Sequence, residues 1–284
     1  VTEQTPIGAY AVDTISYEIG TSSGRAAVAV EITYTHSRSE ILRIKKTGDM
    51  AQMEEVIASA LENCDAGVVL QVDYFEETDF TQLVENYVNA NPHICMEMPQ
   101  VSTAIYPNSG QERVIEIIFT YQTGRDTLRS MQDVVAPIFS SAQMYVQSSE
   151  TPEQKFEQLY SFLMERFSEY QIKTSITPAY SLLRHGVGDS RAFATVYSAM
   201  CRQAGLEGYN VTGTCNGEPR TWNIICDNGI YYHVDLLRCN AEGRFRGCAD
   251  WEMGGYVWDY SAFPACGGVQ TETTEPTEET VAQE

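Results

Sequence analysis

Between Asp189 and Asp235 the sequence changes from the period of a buried helix to three short β-rich runs, and this change constrains the fold more than any other feature. Behind Asp189, apolar side chains recur at helical spacing as far as Gly205, a residue typical of helix ends. The stretches GYNVTGTC, RTWNIICD and GIYYHVDLL follow, separated by the turn sequences Asn216-Gly217 and Asp227-Asn228-Gly229. The pattern predicts one helix packed on an antiparallel sheet.

Residues 1–147 mix strand and helix signals, and we predict a separate α+β domain of unknown role there. The runs RAAVAVEITYT, VVLQVDYF and RVIEIIFTYQ are typical of strands. Apolar side chains recur at helical spacing in residues 53–61 and in residues 80–88, and each stretch predicts a helix. Asp49 is a candidate N-cap for the first of these helices. A third helix is predicted over 127–145. Alternation in the first run places four large side chains on one face: Val28, Val30, Ile32 and Tyr34.

The second half of the chain opens with a helix signal at Thr151, which precedes Pro152 and is followed by Gln154 in a capping box. We interpret residues 169–183 as a loop and residues 150–268 as a second domain, so the predicted fold class is α+β. Residues 269–284 consist mainly of Thr, Glu and Pro, which bury too little apolar surface to offset chain ordering. That segment is predicted to be a disordered tail.

Charge and composition exclude several classes of partner. A formal charge of −21 repels nucleic-acid backbones and anionic lipid surfaces. There is no run of eighteen apolar residues, so no membrane insertion is expected. Gly-rich phosphate loops and CxxC pairs are missing, and His36 and His93 lack ligand partners at usable spacing, so we expect no cofactor and no metal.

Eight cysteines leave two interpretations open. Six of them follow residue 200, which fits disulfides in an oxidising compartment, with Cys239–Cys248 as the best local pair. The alternative, equally favoured, is a set of mostly buried free thiols.

The segments from Tyr180 onward resemble the transglutaminase-like superfamily. Four segments follow the order and spacing of that family: GVGDSRAFA, CRQAGLEGYNVTG, RTWN and GIYYHVD. A later segment, WEMGGYVWDYSAFPAC, looks like the closing segment of many bacterial members. The resemblance covers about residues 150–268. It implies a papain-like core in which a Cys at the start of a buried helix, and a His and an Asp on the strands that follow, catalyse acyl transfer.

Carried over residue by residue, the family's nucleophile falls on Ser190, its general base on Arg220 and its orienting carboxylate on Asp235. Two of the three positions have changed. A serine needs a base to take its proton, and a guanidinium stays protonated in proteins. We therefore predict a degenerate triad without function, in a pseudoenzyme where Arg220 forms a bidentate ion pair with Asp235; the alternative is that Arg220 points to solvent.

Three hypotheses for function follow from the resemblance. The first is an extracellular or cell-surface bacterial module that binds a cell-wall peptide, a glycan or a protein in the inherited cleft, whose predicted residues are Tyr180, Asp189, Trp222, Asn223, Tyr232 and His233. The second is a serine hydrolase or acyl transferase that uses Ser190 with His233 or His185. The third is a purely structural module. The chain begins with Val1 and shows no basic, apolar leader, which suggests that a targeting segment has been removed.

Overall fold

The computed structural model describes residues 5–22, 24–146, 151–170 and 177–267. The chain divides into two compact units, the first comprising Val1–Ser141 with Tyr170–Gly188 and the second Ala142–Glu169 with Asp189–Glu284. The predicted tail, 269–284, lies outside the described residues. None of the helices in the described ranges combines the length and the apolar character that a bilayer-spanning helix needs.

The first unit contains a four-stranded sheet, a separate two-stranded ribbon and several helices. In chain order its elements are α1 (Pro6–Ala11), β1 (Val12–Ser22), β2 (Arg25–Tyr34), α2 (Arg38–Ile41), β3 (Lys45–Thr47), α3 (Met50–Glu62), β4 (Gly67–Val72), α4 (Phe80–Ala90), β5 (Gln100–Tyr106), β6 (Arg113–Thr120) and α5 (Arg125–Val146), whose last residues belong to the second unit. The sheet has the order β3-β4-β6-β5, with β3 parallel to β4 and the other pairs antiparallel.

The core of this unit lies between α3, α4 and one face of the sheet. Four side chains are fully buried there: Ile57 from α3, Val84 from α4, and Ile115 and Ile117 from β6. Asp49 caps α3 by accepting a hydrogen bond from the Gln52 N–H at 2.8 Å, as predicted. The three predicted helices and the three predicted strands of this half are confirmed.

The predicted loop over 169–183 is partly wrong. Pro178–His185 forms a helix, α7, and Val187–Gly188 follow as the short strand β8; both belong to the first unit. Thr177 caps α7 by accepting from the Tyr180 N–H at 3.3 Å, and Pro178 occupies the first turn. Thr177 and Pro178 repeat the cap-and-proline signal of Thr151 and Pro152, but the apolar run that follows is too short to predict a helix by its spacing. Residues 171–176 lie outside the described part of the chain.

The second unit places a helix against an antiparallel sheet. Its elements are α6 (Pro152–Arg166), β7 (Ser168–Glu169), α8 (Ser190–Gln203), β9 (Gly208–Cys215), β10 (Glu218–Asp227), β11 (Ile230–Val234), α9 (Leu236–Glu242) and β12 (Tyr256–Val257). The sheet order is β11-β10-β9-β12. The helix and the three-stranded meander predicted between Asp189 and Asp235 are thus confirmed, and the fold class is α+β.

Strand alternation in β10 gives the sheet two different faces. The Asn223 side chain points to α8, where its Nδ2 donates to Ala194 O at 3.0 Å. Trp222 and Ile224 point the opposite way, into a second layer formed by residues 248–266. The central strand is therefore buried on both sides, which fixes the positions of Arg220 and Thr221 at its start.

Candidate functional site

Ser190 is the first residue of α8, directly after the N-cap Asp189. Asp189 accepts a hydrogen bond from the Ala192 N–H at 2.9 Å, which holds the first turn of the helix. The Ser190 Oγ accepts a hydrogen bond from the backbone N–H of Thr221 in β10 at 3.2 Å. The Ser190 hydroxyl is thus hydrogen-bonded to Thr221, the residue that follows Arg220 in β10.

Arg220 and Asp235 form the predicted bidentate ion pair. The guanidinium donates from Nε to Oδ2 at 2.7 Å and from Nη2 to Oδ1 at 2.8 Å. The Asp235 side chain is 2% exposed and that of Arg220 21% exposed. Burial alone would lower the pKa of Arg220, but the hydrogen bonds and the charge of Asp235 outweigh it and raise that pKa. The expectation of a pair is confirmed, and the solvent-facing alternative is wrong.

The Asp235 carboxylate accepts three further hydrogen bonds. Asp235 is the N-cap of α9, so its Oδ1 also accepts from the backbone N–H groups of Leu237 and Arg238, at 3.1 and 3.2 Å. The Tyr256 hydroxyl donates to Oδ2 at 2.8 Å. Burial and then the charge of Asp235 raise the pKa of Tyr256, which keeps this hydroxyl protonated. The carboxylate is therefore fully satisfied without an imidazole.

Tyr256 was not among the predicted site residues. It lies in the closing segment WEMGGYVWDYSAFPAC, whose likeness to bacterial family members was the only signal that could have pointed to it.

His233 is directed away from Ser190 by two hydrogen bonds. The indole N–H of Trp222 donates to its Nδ1 at 3.0 Å, and its Nε2 lies 2.9 Å from Asp250 Oδ1. An indole nitrogen can only donate, so the imidazole proton lies on Nε2 and is donated to Asp250. Burial lowers the pKa of His233, and the bond to Asp250 opposes this only in part. The ring is neutral, and both of its nitrogens are engaged.

Cys266 completes a group of three potential metal ligands with His233 and Asp250, whose donor atoms lie within 4.8 Å of one another. A metal requires a deprotonated nitrogen and a thiolate. The bond from Trp222 holds the proton on His233 Nε2, the atom that faces the group, and burial raises the pKa of Cys266 to about 12. The chemistry of these donors therefore suits a structural hydrogen-bond cluster better than a metal centre.

The residues predicted to line a cleft have different environments. Trp222 and Asn223 are each 1% exposed, and Asn223 Nδ2 donates to Ala194 O and to Asn210 Oδ1. Tyr232 is partly exposed, and Tyr180 and His185 belong to α7 in the first unit. The void beside Ser190 and Asp235 has no room for a water-sized molecule.

All eight cysteines are free thiols. The Cys239 thiol donates to the carbonyl of Arg246 at 3.5 Å, and burial raises its pKa to about 11. The predicted Cys239–Cys248 disulfide is wrong, and the thiol alternative is confirmed. The clustering of cysteines after residue 200 does not indicate disulfides here. Six of the eight cysteine side chains are buried as small apolar groups, and the other two are partly buried.

A helix that begins at Ser190 and packs on an antiparallel sheet, with Arg220 in β10 and Asp235 directly after β11, has the layout of the papain-like core. Residues 140–238 match the model of the transglutaminase-like superfamily. The chain therefore contains a transglutaminase-like domain. No curated protein sequence matches this chain.

Solved structures give weaker likenesses. A TGase is 8% identical with a TM-score of 0.33, over 75% of this chain and 61% of the other. A "putative cysteine protease" from Cytophaga hutchinsonii is 11% identical, with a TM-score of 0.33 over 56% of this chain and 70% of the other. A "putative protease" from Parabacteroides distasonis is 11% identical, with a TM-score of 0.30 over 59% of this chain and 39% of the other. Likenesses at this level assign no function.

We expect Arg220→Ala to lower the free energy of unfolding by about 3 kcal/mol or more, because it leaves the buried Asp235 carboxylate without a counter-charge. The double variant Arg220→Ala/Asp235→Ala should lose at least about 1 kcal/mol less than the sum of the single losses. Urea denaturation measures each variant. Arg238→Ala, which removes an exposed pair with Glu242, is the matched control and should cost about 0.5 kcal/mol. Additive losses would mean that the pair contributes nothing.

We expect the neutral His233 to make stability depend on pH. Its pKa is lower in the folded chain than the ordinary value of about 6.5, so below that pH the unfolded chain binds a proton that the folded chain does not. The free energy of unfolding should therefore fall as pH decreases from about 6.5 towards the folded pKa, by up to about 1.4 kcal/mol per pH unit. The measurement is urea denaturation at several pH values, and His233→Gln should reduce this slope.

The exposed His185 provides the control variant, His185→Gln, which should keep the wild-type slope. An unchanged slope in His233→Gln would contradict the assignment of a neutral imidazole.

Proposed function

We propose that Ser190, Arg220 and Asp235 occupy the triad positions of this transglutaminase-like domain and that the domain has no acyl-transfer activity. We propose further that it acts outside the cell as a binding module for a peptide, a glycan or another cell-wall ligand. The observation that carries the first part is the bidentate pair between Arg220 and Asp235. In this proposal, Arg220 stands where the family needs an imidazole.

The chemistry of the three side chains supports inactivity. In the family, an imidazolium and a helix N-terminus lower the pKa of the attacking thiol. A serine hydroxyl does not ionise in such a setting, so a base must take its proton during attack. Arg220 is fixed as a cation by Asp235, and the Ser190 Oγ is held by the Thr221 N–H. Loss of both nucleophile and base removes several orders of magnitude in rate.

His233 is the histidine of the same unit that would have to act as an alternative base. Its Nδ1 accepts from Trp222, and its Nε2 donates to Asp250. To serve Ser190 it would have to give up both bonds inside a layer where it is 1% exposed. This arrangement supports a structural role for His233 rather than a catalytic one.

We expect no covalent labelling of Ser190 by a fluorophosphonate probe and no hydrolysis of amide substrates above the level of Ser190→Ala. The reason is that Arg220 stays protonated and that both ring nitrogens of His233 are engaged in other hydrogen bonds. Mass spectrometry of the labelled peptide and a fluorogenic amide assay provide the measurements. Saturable labelling that disappears in Ser190→Ala would overturn the proposal and favour a serine hydrolase.

Exposed aromatic side chains in the closing segment support a binding role. The Tyr260 ring packs on Trp258 with a centroid distance of 4.1 Å and is 62% exposed, while Trp251 is 55% exposed. Trp258 is in turn held edge-on by Trp222 and His233. Tyr260 is thus an aromatic surface fixed from below, which loses little conformational entropy when a sugar ring or an apolar side chain packs on it.

For the binding role, we expect the wild-type chain to bind purified peptidoglycan fragments saturably and Trp251→Ala/Tyr260→Ala to bind them at least about tenfold more weakly. Isothermal titration calorimetry measures both. Tyr74→Ala removes a tyrosine that is 63% exposed in the first unit and should leave the affinity unchanged. Absence of binding by the wild type, or equal affinity in the aromatic variant, would contradict this binding role without bearing on the loss of catalysis.

A further inference from the structure

The strands β1 and β2 form a long antiparallel ribbon on their own. β1 has 11 residues and β2 has 10, and they pair with each other from Val12 with Tyr34 to Ser22 with Arg25. Within the described residues, neither strand pairs with any strand of the four-stranded sheet. An isolated two-stranded ribbon is at best marginally stable in water, so this element needs a further contact.

One face of the ribbon is apolar or aromatic from Ile15 to Ile19 on β1 and from Val28 to Tyr34 on β2, and the uncharged pair Thr21–Ala26 ends it near the turn. The register places Ile15 opposite Ile32, Tyr17 opposite Val30 and Ile19 opposite Val28. Tyr34 continues the same side of β2. These seven side chains are between 38% and 74% exposed, so nothing among the described residues covers this face.

The opposite face of the same ribbon is polar or small. Ser16 lies opposite Glu31, and Glu18 lies opposite Ala29. Both carboxylates therefore point away from the apolar face. This separation of charge from apolar surface within one element is typical of a strand pair that is covered on one side and solvated on the other.

The exposed apolar area is large enough to form a stable interface. From their exposed fractions, the seven residues, with their backbone atoms, present on the order of 800 Å², about the area that one partner contributes to a standard interface. The largest apolar patch on a typical monomer is about 300–600 Å². Most of the area of the ribbon face comes from apolar side-chain atoms, which places it at the upper end of that range.

We propose that the apolar face of this ribbon packs on the same face of a second copy of the chain, related by a two-fold axis. The two ribbons then form a two-layer, four-stranded sandwich whose inner side chains come from both copies. The face carries no charge, so it is complementary to itself and not to a charged partner. Glu18 and Glu31 lie on the outer surface of such a sandwich, so two chains of charge −21 meet there without bringing these carboxylates together.

The oligomeric state of the full chain tests the proposal. We expect sedimentation equilibrium between about 1 and 100 μM to give a dimer for the wild type, and Val30→Lys to weaken dimerisation at least about 30-fold, because it places a charge at the centre of each apolar face. Ala29→Lys is the matched control: it introduces the same side chain at the neighbouring position, on the outer face opposite Glu18, and should leave the dimer unchanged.

Hydrogen exchange of the wild type gives a second readout that needs no variant. The backbone amides of β1 and β2 should exchange more slowly at concentrations where the dimer dominates. A wild-type chain that is monomeric throughout this range would overturn the proposal, as would a dimer that Val30→Lys leaves intact or ribbon amides that exchange independently of concentration. Binding of the monomer to neutral lipid vesicles through this face, lost in Val30→Lys, would replace the second copy with a lipid surface and would equally overturn it.

Discussion

The arrangement of the second unit depends on one buried charge, the carboxylate of Asp235. Removing an ion from water costs several kcal/mol unless partners replace the lost hydration. Five donors do so, and they come from the start of β10, the first turn of α9 and the hydroxyl of Tyr256 in β12. The carboxylate therefore holds three elements together, and any change that weakens one of these bonds is felt by all three.

The same interaction explains why a guanidinium stands where the family resemblance places an imidazole. An imidazole would give Asp235 one hydrogen bond and a charge that varies with pH, whereas Arg220 gives two bonds and a permanent charge. Under the proposed function, this exchange strengthens the structure and at the same time removes the general base. A domain under selection for a catalytic site would not gain from it, while a domain retained as a rigid scaffold would.

Much of this unit was predictable from the sequence because its signals are local. The N-cap before α8, its helical spacing and the two hairpin turns of the meander specify their elements directly. The pairing of Arg220 with Asp235 is not local and was predicted only through the family resemblance, which places both residues at positions of one site. The role of Tyr256 and the Trp222–His233–Asp250 chain were not predictable, since they join residues 11 to 21 positions apart through the packing of an irregular segment. The disulfide prediction was wrong because sequence clustering contains no information on the distance between two sulfur atoms. Alternation identified the apolar side of β2, but whether that side is covered depends on tertiary packing.

An aromatic binding surface and a two-fold ribbon contact have related consequences for affinity. In the proposed binding role, an exposed ring such as Tyr260 would bind a sugar or a peptide with modest strength, because a small contact area must offset the entropy lost on association. A dimer carries two copies of every surface of the chain. On a polymer with repeated ligand units, engagement of the first copy turns the binding of the second into an intramolecular event, which raises the overall affinity by about 10²–10⁴ when the geometry allows both to bind. The ribbon would then matter for function although no residue in it touches the ligand, and a variant such as Val30→Lys would lose affinity for the intact polymer while keeping its affinity for single fragments.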